Sequence, residues 1–219
     1  MESYKDNNIV NIGGRVVTEP EFSHELFEEK FYIFYIETKR LSNYNDKLPI
    51  IVSERLINID SIKNGVIYKI EGQFRSYNNM TDGKSKLVLS IFAKEIEEID
   101  DEELLTLNDS TFIGYICKEP IYRKTPLGRE IADVLVAVNR SYKKSDYIPC
   151  ILWGRNAKFC ETLPVGTMVK LNGRIQSRMY EKKKEDGTVI SKVAYEVSIG
   201  KFSVAESEET NKEESSVVE

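Results

Sequence analysis

Histidine, cysteine and tryptophan are scarce: 219 residues contain one, three and one of them respectively. Cys117, Cys150 and Cys160 are odd in number and include no Cys-x-x-Cys pair. That pattern fits reduced thiols in a cytoplasm rather than a disulfide framework or a zinc site. His24 stands in a Glu-rich stretch with no serine or cysteine motif directed at it, and reads as a solvated loop residue. A P-loop, a metal-ligand spacing and a Gly-x-Ser-x-Gly elbow are all missing, so neither an enzyme nor a cofactor or metal site is expected. Scattered carboxylates of a metal-dependent nuclease are the one catalytic alternative left. No apolar run approaches the roughly 20 residues that span a bilayer, and the polar first eight residues have no secretory core. The expected location is the cytoplasm, with no membrane contact.

A large positive net charge is also missing, since the chain sums to −5. The total hides a segregation. Residues 112–204 carry 17 basic and 9 acidic side chains, whereas residues 1–94 carry 13 of each. Residues 95–109 hold eight acids and no base, and residues 205–219 hold six acids against Lys212. Charge runs are commonly solvated faces, but a basic segment flanked by acidic ones also suits a polyanionic partner.

What is present is a repeat at a spacing of 100 residues. Gly14, Glu19 and Pro20 fall on Gly114, Glu119 and Pro120; Arg40, Asp46, Pro49 and Arg55 fall on Arg140, Asp146, Pro149 and Arg155. One residue of slippage then aligns Gly65, Gly72 and Ser76 with Gly166, Gly173 and Ser177. Units of this length can each close a core.

Both copies are dense in strand formers, as in Phe31 to Ile36, Val66 to Ile70, Lys86 to Ile91, Ala132 to Val138, Met168 to Leu171 and Val193 to Val197. Thr125-Pro126-Leu127-Gly128, Asp82-Gly83 and Asp186-Gly187 signal turns. One helical stretch per copy is expected, over Ser53 to Lys63 and Arg155 to Leu163, each stopped by a glycine, Gly65 or Gly166. Three strands, a short helix and two strands is the order of the OB-fold, a small Greek-key barrel. The expected class is all-β with one short helix per domain: two tandem OB-fold five-stranded barrels. The expected divisions are a diverged OB-fold domain at 1–99, an acidic linker at 100–109, a second OB-fold domain at 110–204 and a disordered acidic tail at 205–219.

The second copy interleaves Tyr142, Tyr147, Trp153 and Tyr180 with Arg140, Lys143, Lys144, Arg155, Arg174, Arg178, Lys182, Lys183 and Lys184. Aromatic faces stack on unpaired bases while cations follow phosphates, so this mixture favours single strands over a duplex. The competing assignment fills a barrel core with these rings, most plausibly with Trp153, whose strand is apolar throughout. At the aligned positions the first copy has Ser42, Lys47, Ser53 and Asn79, with Tyr44 and Tyr77 nearby. Its expected role is assembly or a reduced share of binding.

Residues 112–204 resemble a bacterial single-stranded DNA-binding protein. The resemblance rests on Glu119-Pro120, Thr125-Pro126-Leu127-Gly128 and Val136 to Arg140, then Asp146 to Arg155 and Gly173 to Tyr180, all in the family's order. It implies base stacking by Tyr142, Tyr147, Trp153 and Tyr180. It also implies an assembly of four OB domains, hence a homodimer of this two-domain chain, in a bacterium or its phage. The expected function is sequence-independent coating of single-stranded DNA in replication, recombination or repair, in the nucleoid. Family members commonly carry an acidic tail that recruits replication and repair proteins. This chain ends Ser215-Ser216-Val217-Val218-Glu219, without the family's aspartates, proline and phenylalanine. The alternative is an interaction or accessory replication factor that binds nucleic acid weakly; RNA is a further ligand that a stacking platform accepts. The exposure of the four aromatics separates these possibilities.

Overall fold

The computed structural model describes residues 7–42, 44–81, 84–183 and 187–205. Lys184, the turn residues Asp82, Gly83 and Asp186, and tail residues 206–219 lie outside them. The first half contains β1 (Asn8–Val16), β2 (Glu21–Leu26), β3 (Glu29–Lys39), β4 (Asn45–Ser53), β5 (Ile67–Thr81) and β6 (Lys84–Ile99). The second contains β7 (Asn108–Ile116), β8 (Ile121–Lys124), β9 (Glu130–Arg140), β10 (Lys144–Trp153), α1 (Arg155–Glu161), β11 (Met168–Lys183) and β12 (Val189–Val204).

Each half closes on itself. β1 pairs with β3 and β5, β3 with β4, β4 in parallel with β6, and β6 with β5. That ring of five strands recurs as β7-β9-β10-β12-β11. This is the expected pair of OB barrels. Two short strands, β2 and β8, are additional; each lies outside its ring as a hairpin partner of β3 or β9. β2 is exposed along its whole length, so no alternation of apolar residues marked it in the sequence. His24 consequently sits on a strand and not in a loop, paired with Phe31.

Period-two alternation fills both interiors. Leu48, Ile50 and Val52 point into the first barrel with Phe34, Ile70, Phe74 and Ile91. Ile148, Cys150 and Leu152 point into the second with Val136, Val169 and Val197. Each buried side chain of this size contributes about 1.5–3 kcal/mol. Burial pushes the Cys160 thiol up to about 11 and raises Cys150 as well, so both behave as inert apolar groups. The repeated Gly72 and Gly173 sit at matching bulges, where a Cβ would stand 2.3 Å from the Phe92 carbonyl oxygen or 2.4 Å from that of Ser198.

The expected helices form unequally. In the second half α1 buries Ala157 and Cys160, and Phe159 meets Phe202 edge to face. In the first half only a one-turn 3-10 helix, Ile59–Ser61, forms. There Asn58 accepts from the Asp60 amide and Ser61 bonds back to the Asn58 carbonyl, while Ile62 plugs the barrel base. β-branched Ile57, Ile59 and Ile62 and the backbone-bonding Asn58 and Ser61 side chains explain why a helix loses here. Gly166 is five residues past α1; with φ near +93° it shapes the turn into β11 and does not cap the helix.

The halves are joined by sheet. β1 runs antiparallel to β7 with Val10 opposite Ser110, two positions equivalent in the repeat, so a pseudo-two-fold axis passes between them. Residues 102–106 form a second 3-10 helix; Leu105 is buried, and its carbonyl accepts from the Thr38 hydroxyl at 2.9 Å. About the axis two clamps are exchanged. Asp46 accepts the Ser177 amide on Oδ1 at 2.7 Å and takes one hydrogen bond from Arg40 on each carboxylate oxygen, and the Arg40 guanidinium also donates to the Ser177 carbonyl. Reciprocally, Asp146 accepts the Ser76 amide at 2.6 Å and faces Arg140. The arginine, aspartate and serine shared by the two copies therefore hold one half to the other.

Candidate nucleic-acid interface

The outer face of the second barrel follows from the same alternation. Because Ile148, Cys150 and Leu152 point inward, Tyr147 and Trp153 point outward, with Ile151 on the same side of the strand but buried there. Ile151 pairs with Ser198, and Ser198 with Arg174, so this side continues through Ser198, Glu196 and Lys192 on β12 to Arg174, Arg178 and Tyr180 on β11. Tyr147, Trp153 and Tyr180 are 41%, 38% and 36% exposed. Tyr142 is 95% exposed in the β9–β10 loop. It and Lys143 adopt positive φ values of 62° and 55°, a strained left-handed pair that lifts the ring clear of the barrel. None of the four fills the core.

Side-chain partners orient these rings. The Trp153 Nε1–H donates to Ser198 Oγ at 3.0 Å, tethering one edge of the indole. The Arg178 guanidinium lies 5.8 Å from the Tyr180 ring centroid, with its Nε 3.4 Å from Glu196. The Tyr147 amide donates to Ser76 Oγ at 2.7 Å, so a residue of the first half anchors the backbone that carries a ring of the second. Ser198, Glu196 and Ser76 were not expected at the site. The alternation of β12 could have revealed the first two; Ser76 depends on how the barrels dock.

Apart from Arg178, the described cations divide into two groups. Lys143, Lys144, Arg155, Lys182 and Lys183 are exposed and form no ion pair among the described residues. Arg140 and Arg174 are committed to the seam: Arg140 Nε lies 3.2 Å from buried Asp146, and Arg174 donates to the Lys39 and Thr106 carbonyls. Burial raises the Asp146 carboxyl above its usual range, against the pull of the Ser76 amide, Arg140 and Arg75. Among the described residues no cluster of three or more His, Cys, Asp or Glu side chains is placed to hold a metal ion. No helix in them is long and apolar enough to cross a membrane.

Known proteins resemble this half of the chain. The model of the single-strand binding protein family matches residues 107–204, the half that presents the exposed rings. Single-stranded DNA-binding protein B of Bacillus subtilis is 33% identical over 96 residues, covering 39% of this chain and 82% of that protein. Single-stranded DNA-binding protein A of the same bacterium is 31% identical over 97 residues, covering 41% of this chain and 56% of that protein. The chain thus spans only about half the length of some relatives. The crystal structure of the wild-type single-stranded DNA binding protein from Thermus aquaticus shares the fold across both halves. Its TM-score is 0.73, over 91% of this chain and 93% of that one, at 15% identity. With a family match confined to the barrel that carries the aromatic face, and a relative matched over four-fifths of its length, this chain belongs to the single-strand binding protein family.

Proposed function

We propose that the chain binds single-stranded DNA without sequence preference on the outer face of the second barrel. Tyr142, Tyr147, Trp153 and Tyr180 stack on bases, and Lys143, Lys144, Arg155, Arg178 and the Lys182–Lys184 run follow the phosphates. The observation that carries this is the register that turns three rings outward on one face, each at least one-third exposed. An accessory factor that binds nucleic acid weakly would have turned them inward. The names of the relatives point the same way. Coating of exposed strands in replication, recombination or repair, a nucleoid location and partner recruitment by the acidic tail belong to the same proposal.

The test uses Trp153, the only tryptophan, as reporter. Oligothymidine quenches its fluorescence and a duplex of equal length does not. Affinity falls with salt at a log–log slope of about −0.7 per phosphate neutralised, roughly −3 to −4 for the five unpaired cations. No quenching at low salt, or equal affinity for the duplex, defeats the proposal. We also propose a homodimer carrying four barrels, in line with the commonness of closed two-fold assemblies. Sedimentation at micromolar concentration gives twice the chain mass if this is right and the single-chain mass if it is wrong.

A further inference from the structure

A cavity of 480 Å³ opens on the first barrel, between the β2–β3 hairpin and strands β5 and β6. Its volume is within the roughly 300–1,000 Å³ usual for small-ligand sites. Rings make up much of its wall. His24 stacks on Phe31 with centroids 4.8 Å apart and planes 10° from parallel, and Phe31 meets Phe92 at 5.7 Å. The Arg75 guanidinium lies 4.2 Å from the Phe92 centroid.

These rings do not align with those of the second half; they replace them. In the second barrel Trp153 is the cross-strand partner of Ile131, and its indole bonds to Ser198. In the first, Ser53 stands for Trp153, but its cross-strand partner is Phe31, and Phe92 occupies the register position of Ser198. The aromatic member of the pair has changed strand. Position-by-position comparison of the copies therefore counts the first as stripped, although its outer face still holds an aromatic wall.

Charge complements the rings. Arg75 and Arg140 both line the cavity, with Asp146 as the carboxylate that faces them. Arg140 Nε is buried without a hydrogen-bond partner, since its approach to Asp146 is misaligned. Burial, more than the neighbouring Arg140, lowers the Arg75 guanidinium, which donates to Gln73 Oε1 and lies over Phe92 on the cavity wall. Tyr77, 53% exposed, lines this cavity and also the adjoining depression bounded by Lys144 and Tyr147.

We propose that this cavity is a second nucleotide site, which takes a base against His24, Phe31 and Phe92 and its phosphate at Arg75. Resting on the function proposed above, it continues the same single strand from Tyr147 past Lys144 and Tyr77 onto the first barrel. The neutral net charge of residues 1–94 makes it the weaker of the two sites.

Oligothymidines of about 8 and about 20 nucleotides separate the sites, because one OB barrel holds about 4–16. The His24→Ala/Tyr77→Ala double variant removes two exposed rings from the full chain. Trp153 quenching then reports the short strand on the second barrel. The double variant binds the short strand within twofold of wild type and the long one at least tenfold more weakly. Arg75→Gln also weakens only the long strand and makes its salt slope shallower by about 0.7. Unchanged affinity for the long strand overturns the proposal, and so does equal weakening of both strands, which would mean that these residues merely position Tyr147. If wild type quenches with neither strand, the parent function fails and this site with it.

Discussion

Replacing Tyr147 and Trp153 together by alanine weakens binding of oligothymidine about 30-fold or more while the barrel stays folded. Stacking of a base on an aromatic ring contributes about 1–3 kcal/mol, and each 1.4 kcal/mol is a tenfold change in affinity. Two rings therefore account for roughly 30-fold at the low end and 10⁴-fold at the high end. The barrel survives because the inward positions of β10 belong to Ile148, Cys150 and Leu152, none of which is touched. Tyr147→Phe is the control: it keeps the ring, drops the hydroxyl and binds as wild type does. Since the double variant has lost its tryptophan, affinity is read from the anisotropy of a labelled strand, and folding from circular dichroism. A loss under threefold would show that the strand runs elsewhere.

The sequence reveals this face better than it reveals what surrounds it. Alternation in β10 separates Tyr147 and Trp153 from the core residues between them, a local property that needs no tertiary information. The five strands of each ring are visible for the same reason. β2 is not, because an edge strand exposed on both sides carries no burial signal, and so His24 reads as a loop residue. The helical stretch that the first half offers before Gly65 does not form, since Ile57, Ile59 and Ile62 interleaved with Asn58, Asp60 and Ser61 weigh against it locally. Arg140 is the most instructive position. Beside Tyr142 and Lys143 it resembles a phosphate ligand, but its recurrence with Asp146 and Ser177 reflects the two-fold exchange across the seam. That exchange depends on Val10 meeting Ser110, a register that neither copy encodes alone.

The seam itself yields the other large effect: Asp46→Ala lowers the unfolding free energy by about 3 kcal/mol, whereas Asp146→Asn changes it by less than about 1. The residues are equivalent in the repeat, but their surroundings differ. The Asp46 side chain is 1% exposed and fully engaged, by two well-aligned bonds from Arg40 and two from Ser177. Its hydrogen bonds raise the Arg40 pKa against the opposing effect of burial. Truncation strands a guanidinium and an amide together. Because Arg40 is 30% exposed and can turn toward water, the low end of the usual cost for a broken buried pair applies. Asp146 is fully buried, yet Arg140 approaches it without hydrogen-bond alignment, and burial is the largest influence on its pKa. An asparagine there still accepts the Ser76 amide and needs no charge desolvated. The pH dependence follows in sign. Folding raises the Asp146 pKa, so the native chain binds that proton more tightly than the unfolded chain does. Its contribution to stability is full below the ordinary aspartate range and is lost as pH rises through the raised value. Asp146→Asn removes this loss, and the variant gains on wild type between acidic and neutral pH, a difference in which the other carboxylates cancel. Urea midpoints for the two variants and wild type across that range measure both claims. A cost for Asp146→Asn as large as that for Asp46→Ala would mean that Arg140 depends on the Asp146 charge despite its misaligned approach.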